Sequence, residues 1–435
     1  MEIAIEQWDL LTEKQQRRYL ARSEAEIADV TAGVQQIVDS VRQRGDEAVR
    51  ESVLRFDRVD LAGKPLEVQP QETETAVAAL DPKVRTAIDY AIQNVRRFHE
   101  VQMPRTVALT EVRPGILAGE RARPISSAGL YVPRGRGSFP SMLYMLAVPA
   151  QVAGVGDVAV VTPPAEDGSV DAACLYAALR CGVHRIYRVG GPQAIAALAY
   201  GTREIPPVRK IIGPGSAYVA AAKRIVSSVL DVGLPAGPSE SMIIADRDAD
   251  PYRVAMDLII EAEHGADSSA ILLTSSRPVA EAVATILPEL ISALPEPRRS
   301  FVNAVFSNYG GIFLCSSIEE AADIANQFAP EHLQIQTVNP WDTLSLIENA
   351  GEILLGDTTP FSIANYLAGA NAVLPTGGKA RTYSAVSVRD FIKYSSVVHV
   401  TQSGMDEAAE HVIALADYEG FPAHAGALRM RYENR

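Results

Sequence analysis

Apolar positions recur at two periods along this chain. From about residue 25 to about 57, Ile27, Val30, Val34, Ile37, Val38 and Val41 return every three or four residues, the spacing of one helical face. From about 81 to about 101, Val84, Ile88, Ala91 and Val95 repeat that spacing and predict a second helix. Near residue 125 the character changes. Three times a short β-rich run ends in glycine and yields to a helical, largely alanine-rich pattern. Gly129 to Pro133 leads through a loop with Arg134 and Arg136 into an apolar run from Met142. Ile186 to Gly191 leads into QAIAALAYG, and Arg209 to Gly213 leads through Ser216 into AYVAAAKRIVSSVL. Asp157 to Thr162 is another strand, read as a continuous apolar run. Alternation of this kind predicts a parallel sheet with helices on both faces. A second strand series, 241–245, 270–274, 311–314, 333–337 and 352–355, predicts a second α/β lobe. The tail from about 388 reads as a strand, Val397 to Val400, and a helix, Glu407 to Tyr418, too small to fold alone.

Composition narrows the class. At 435 residues the chain is too long for one core and implies two or three domains. A net charge of −13 argues against general nucleic-acid affinity, so any anionic ligand must be held by local groups. Cys174, Cys181 and Cys315 have no zinc-finger or C-x-x-C spacing and are expected to be buried, reduced thiols. No basic start followed by an apolar h-region opens the chain, and no apolar run is long enough to span a bilayer. A cytoplasmic protein with neither membrane nor nucleic-acid partner is expected.

Glycines at the carboxyl ends of parallel strands stand where open α/β sheets bind ligands, beside helix N-termini that favour phosphate. Gly191, Gly213 and Gly215 could admit a pyrophosphate or simply serve tight turns, because no strict G-x-G-x-x-G occurs. Glu261 and His264 are three apart on one helical face, which suits a divalent metal or an ordinary surface pair. Glu331 and His332 are adjacent at the entry to a strand and point to different sides. They suit two proton-transfer steps or a solvated turn. Glu419 and His424, near the C-terminus, decide nothing alone.

Taken together, eight segments resemble the histidinol dehydrogenase family across nearly the whole chain. They are GLYVP (129–133), VGGPQAIAALAYGT (189–202), KIIGPGSAYV (210–219), LPAGPSE (234–240), EAEHGADS (261–268), NQFAPEHLQIQT (326–337), NYLAGANAVLPT (365–376) and EGFPAHA (419–425). The resemblance implies a domain-swapped homodimer with two Rossmann-like lobes, oxidising an amino alcohol to an amino acid by two hydride transfers to NAD. It implies an N-terminal arm over 1–25 and a discontinuous catalytic lobe over 26–129 and 240–387. An NAD-binding lobe over 130–239 and a C-terminal dimerisation segment over 388–435 complete the arrangement. By position His264 and His424 match zinc ligands, with His424 supplied by the partner subunit, and Glu331 and His332 match the acid/base pair. Ser239 and Glu419 match substrate contacts, and Tyr131 and Gln193 match nucleotide contacts.

The departures from that pattern carry information too. Glu261 and Asn365 stand where the family has glutamine and aspartate as metal ligands. The double exchange keeps four ligands, Glu261, His264, Asn365 and His424, and one negative charge, which points to a retained Zn2+. Ser216 replaces an asparagine at the nucleotide. In the substrate pocket Phe361 replaces a glutamate and Ala372 a histidine, while Arg134 and Arg136 replace two loop glycines, facing either substrate or nucleotide. The expected function is NAD-dependent, zinc-assisted oxidation of a small polar primary alcohol through the aldehyde to the carboxylate. The alcohol is L-histidinol or a neutral or anionic one such as the sulfonated diol some relatives oxidise. A catalytically silent, ligand-binding paralogue is the alternative from another class.

Overall fold

The structure, a computed structural model, describes residues 3–20, 26–134 and 137–433. Arg136 therefore lies outside the described residues. In chain order the strands are β1 (Ile5–Gln7), β2 (Val107–Arg113), β3 (Ile116–Pro124), β4 (Ser127–Tyr131), β5 (Asp157–Thr162) and β6 (Arg185–Arg188). They continue with β7 (Lys210–Ile212), β8 (Glu240–Ala245), β9 (Ser269–Thr274) and β10 (Gly310–Leu314). The last three are β11 (His332–Gln336), β12 (Glu352–Leu355) and β13 (Ile392–Val400).

The chain divides into two units, 1–102 with 126–391, and 103–125 with 392–435. The first holds two all-parallel sheets. The larger has the order β1-β10-β9-β8-β11-β12 and the smaller β6-β5-β4-β7. The strands β5, β8 and β9 are buried almost throughout, as strands covered by helices on both faces must be. On one face of the large sheet Ile243, Leu258, Leu272, Val283 and Phe361 share a core; on the other Met242, Ile271, Phe313, Phe328 and Leu333 share another.

Three features differ from the domain limits expected from sequence. The segment 1–25 carries β1, which pairs in parallel with β10 as the edge of the large sheet, and Ile3 and Trp8 anchor it in the two cores. Residues 26–68 pack with the small sheet: Val34, Val38, Val49 and Leu61 share one core with Ala159, Ile195 and Ala222. Periodicity showed that this helix has an apolar face but not which sheet the face covers. Residues 103–125 form a hairpin, and β3 pairs antiparallel along its whole length with β13. In the second unit that three-stranded sheet accompanies helices Gln402–Tyr418 and Pro422–Glu433. Among the described residues no helix is long and apolar enough to cross a membrane.

Candidate active site

The titratable cluster sits at the amino-terminal edge of the large sheet. Helices that follow parallel strands run back antiparallel to them, so the end of a helix returns to the edge where strands begin. Asp250 caps helix Pro251–Ala262 by accepting from the N–H groups of Tyr252 and Arg253. Its last turn brings Glu261 to that edge, fully buried, with His264 just beyond the helix end and partly exposed. Helix Phe361–Tyr366 delivers Asn365, whose Nδ2 donates to Glu261 Oε1 at 2.6 Å. His264 Nδ1 lies 3.0 Å from Ser239 Oγ and 3.4 Å from Glu261 Oε2. Glu261 Oε2 is buried and accepts no hydrogen bond. Burial alone would raise its pKa, but His332, His264 and hydrogen bonds from Asn365 and Ser239 hold it below the ordinary carboxylate range. An ionised carboxylate with one oxygen that accepts no hydrogen bond, beside an amide and an imidazole, fits a first-row divalent cation.

Glu331 and His332 stand at the start of β11, both buried. Glu331 Oε2 accepts from the backbone N–H of Glu240 at 2.9 Å, and its Oε1 lies 3.9 Å from His332 Nε2. On the far side of the ring His332 Nδ1 lies 2.9 Å from Glu352 Oε2. Burial pushes Glu331 up to about 8, reinforced by the Glu261 and Glu240 carboxylates and opposed by His332. Burial works against a charged His332, yet Glu261, Glu331 and Glu352 together outweigh it and push the imidazole up to about 10.

Two expected substrate contacts take unexpected places. Phe361 is fully buried in the core, its ring 5.8 Å from that of His332 at 73°. It thus backs the imidazole instead of lining an open pocket. Ala372 is half-buried beside Asn371, which donates to the Met145 carbonyl at 2.6 Å. Glu419 and His424 belong to the second unit, exposed between its two helices and at the start of the last one.

The nucleotide candidates gather at the carboxyl edge of the small sheet. Tyr131 ends β4, and its hydroxyl accepts from the Gly191 N–H at 3.1 Å where helix Gly191–Tyr200 begins. Burial pushes that phenol up to about 12. Gln193 is buried and its Oε1 accepts nothing, an acceptor suited to a ligand N–H or O–H. Gly213, at φ +133°, comes so close to β4 that a Cβ there would lie 2.1 Å from the Tyr131 carbonyl oxygen. Ser216 is exposed at the head of helix Ala217–Val226 and makes no side-chain cap bond. The exposed Arg134 donates to the Pro164 carbonyl at 2.9 Å.

Glu352, Glu240 and Asp57 were not singled out in the sequence. Burial pushes Asp57 up to about 6 against the pull of Arg134. Glu352 and Glu240 had one legible sign, a carboxylate heading a strand that is otherwise apolar after Glu352 and apolar but for Ser241 after Glu240. Asp57 ends an amphipathic helical run and had none.

The histidinol dehydrogenase family model matches residues 20–432. The chain is 47% identical over 421 residues to the histidinol dehydrogenase of a Synechocystis strain, covering 97% of each. It is 48% identical over 422 residues to a Mesorhizobium japonicum protein called histidinol dehydrogenase homolog 2, covering 96% of each. The crystal structure of histidinol dehydrogenase from Elizabethkingia anophelis superposes with a TM-score of 0.93 at 33% identity, over 100% of this chain and 98% of that one. The chain therefore belongs to the histidinol dehydrogenase family, a family of NAD-dependent dehydrogenases.

Proposed function

We propose that the protein oxidises a small, polar, neutral or anionic primary alcohol through its aldehyde to the carboxylate, in the cytoplasm and as a homodimer. The observation that supports this reading best is the buried His332, set between Glu331 and Glu352 beside the Glu261 cluster. Tyr131, Gln193 and Ser216 would hold the nucleotide; Glu261, His264, Asn365 and His424 of the partner subunit would hold zinc. NAD supplies the hydride acceptor and zinc a Lewis acid for the substrate oxygen.

In this reading His332 Nε2, which faces Glu331, takes the proton of the substrate hydroxyl. Without a cation the surrounding carboxylates make the imidazole too basic to be free at neutral pH. A cation on Glu261 would withdraw the largest of those charges and bring His332 towards the working range. On the same reading His332 takes the hydroxyl proton in the first oxidation, and Glu331 takes a proton from the water that adds to the aldehyde before the second. A carboxyl raised to about 8 is half-ionised at about pH 8, so the fraction able to take that proton grows as pH rises above 7. NAD, when bound, would accept one hydride in each oxidation, a fresh molecule each time. Ser239, and Glu419 of the partner subunit, would contact the substrate, with Ala372 beside it.

The substrate reading rests on Phe361. Where the family carries a glutamate, a fully buried apolar ring lies against His332, so the carboxylate the family offers a cationic amino alcohol at that position is missing. Each charge-assisted hydrogen bond of that kind is worth about 1.5–3 kcal/mol. The test is NADH formation by zinc-loaded protein with L-histidinol and with neutral and anionic primary alcohols. L-histidinol turning over as well as any other would refute the substrate reading.

A further inference from the structure

We propose that Glu352 is the positioning residue that fixes the tautomer of His332. The inference rests on His332 acting as the base of the proposed oxidation. Parallel pairing of β11 with β12 sets His332 directly opposite Glu352, so both side chains leave the same face of the sheet. The register is held locally by backbone bonds: the Gly351 N–H donates to the Pro330 carbonyl and the Glu352 N–H to the Glu331 carbonyl, each at 2.9 Å. Both side chains are buried, at 3% and 7% exposure, so water does not compete for their contact.

A neutral imidazole carries one N–H, and the stronger acceptor decides which nitrogen holds it. The candidate acceptors are unequal, and Glu261, the largest of the charges on the ring, makes no hydrogen bond to it. Glu352 Oε2 is within hydrogen-bond distance of Nδ1 at 2.9 Å, while Glu331 Oε1 is 3.9 Å from Nε2 and outside it. The hydrogen is therefore held at Nδ1, and the Nε2 lone pair is left facing Glu331 and the substrate side. Phe361, edge-on against the ring at 5.8 Å, opposes its rotation out of that arrangement. When a proton reaches Nε2, the resulting imidazolium is already paired with the Glu352 carboxylate. Glu352 Oε1 is buried and accepts no hydrogen bond, so the contact with His332 is the group's main tie. In a strand that otherwise reads Ile353, Leu354, Leu355, packing supplies no reason for a carboxylate.

The test uses zinc-loaded protein carrying Glu352→Met and, separately, the near-isosteric Glu352→Gln, with whichever alcohol the unaltered protein turns over fastest. Loss of the carboxylate should lower kcat about 10²-fold or more while KM moves less than about threefold. The acidic limb of the kcat/KM pH profile should move to lower pH by about one unit in both variants, because His332 loses one of the charges that sustain its proton. A role confined to holding β12 in place would move the unfolding midpoint but not that limb. In ¹⁵N-histidine spectra without substrate, unaltered His332 should show a protonated Nδ1 when neutral, and Glu352→Met should lose that preference. Should the Met variant fail to fold, the Gln variant decides. An unchanged limb and kcat in Glu352→Gln, or a neutral His332 protonated at Nε2 in the unaltered protein, would overturn the proposal. If no alcohol is oxidised at all, the proposed reaction falls, and the spectra alone decide the role of Glu352.

Discussion

Glu331 offers a quantitative check on the buried cluster before any substrate is known. In the metal-free protein its folded pKa is about 8, against an ordinary value of 4.5. At pH 7 the unfolded chain has lost this proton while the folded chain largely keeps it. The stability it contributes is thus complete below about 4.5 and lost as pH rises through about 8. His332 acts in the same direction, from 6.5 up to about 10. Asp57 and Asp257, each raised to about 6, have finished titrating by then, and the buried Lys223, lowered to about 8, acts mainly above it. Each proton held only by the folded state costs about 1.4 kcal/mol of stability per pH unit. Between pH 7 and 8 Glu331 is partly titrated and His332 nearly fully engaged, so the two together should remove about 2 kcal/mol. Glu331→Gln should halve that loss to about 1 kcal/mol, since an amide can still accept the Glu240 N–H but does not titrate. Urea unfolding of chelator-treated protein at the two pH values measures both slopes. A flat or rising wild-type stability, or an unchanged slope in Glu331→Gln, would refute the electrostatic picture of the site.

The remaining predictions concern metal, chemistry and assembly. His264→Ala should strip most of about one zinc per chain, as read by elemental analysis; a fully loaded variant would mean the ligand set is wrong. His332→Ala should lower kcat for alcohol oxidation by about 10²–10⁴, while Glu331→Gln should harm aldehyde oxidation more than alcohol oxidation. Equal losses in the two steps would remove the division of labour between them. Mixing His332→Ala with His424→Ala subunits should partly restore activity, because with a crossed site a mixed dimer would gather both lesions in one site and none in the other. Verified exchange without recovery would remove the crossed site.

The parallel strands were legible because burial on both faces writes them as uninterrupted apolar runs. Asp157 to Thr162 coincides with β5, and the 352–355 run coincides with β12. The β2–β3 hairpin was not legible. Its strands lie largely exposed, without a buried face to impose alternation, and its partner β13 is almost 270 residues further on. The same limit applies to the site. Motif matching singled out Glu261, His264, Glu331 and His332, and the structure brings them to one edge of the large sheet. The contact between Glu352 and His332 depends on strand register, which no local pattern records. Phe361 was legible as a departure from the family, but its burial against His332 follows from how a short helix packs on the sheet.

The central claim is that this chain uses NAD to oxidise an alcohol that is not a cationic amino alcohol. Its most direct test is kcat/KM from NADH absorbance, measured for zinc-loaded protein on L-histidinol and on neutral and anionic primary alcohols. The loss of one charge-assisted contact of about 1.5–3 kcal/mol, at about 1.4 kcal/mol per tenfold, predicts one to two orders of magnitude in favour of a neutral or anionic alcohol. L-histidinol matching or exceeding every other alcohol would contradict the reading of Phe361, and no NADH from any alcohol would contradict the proposed reaction itself.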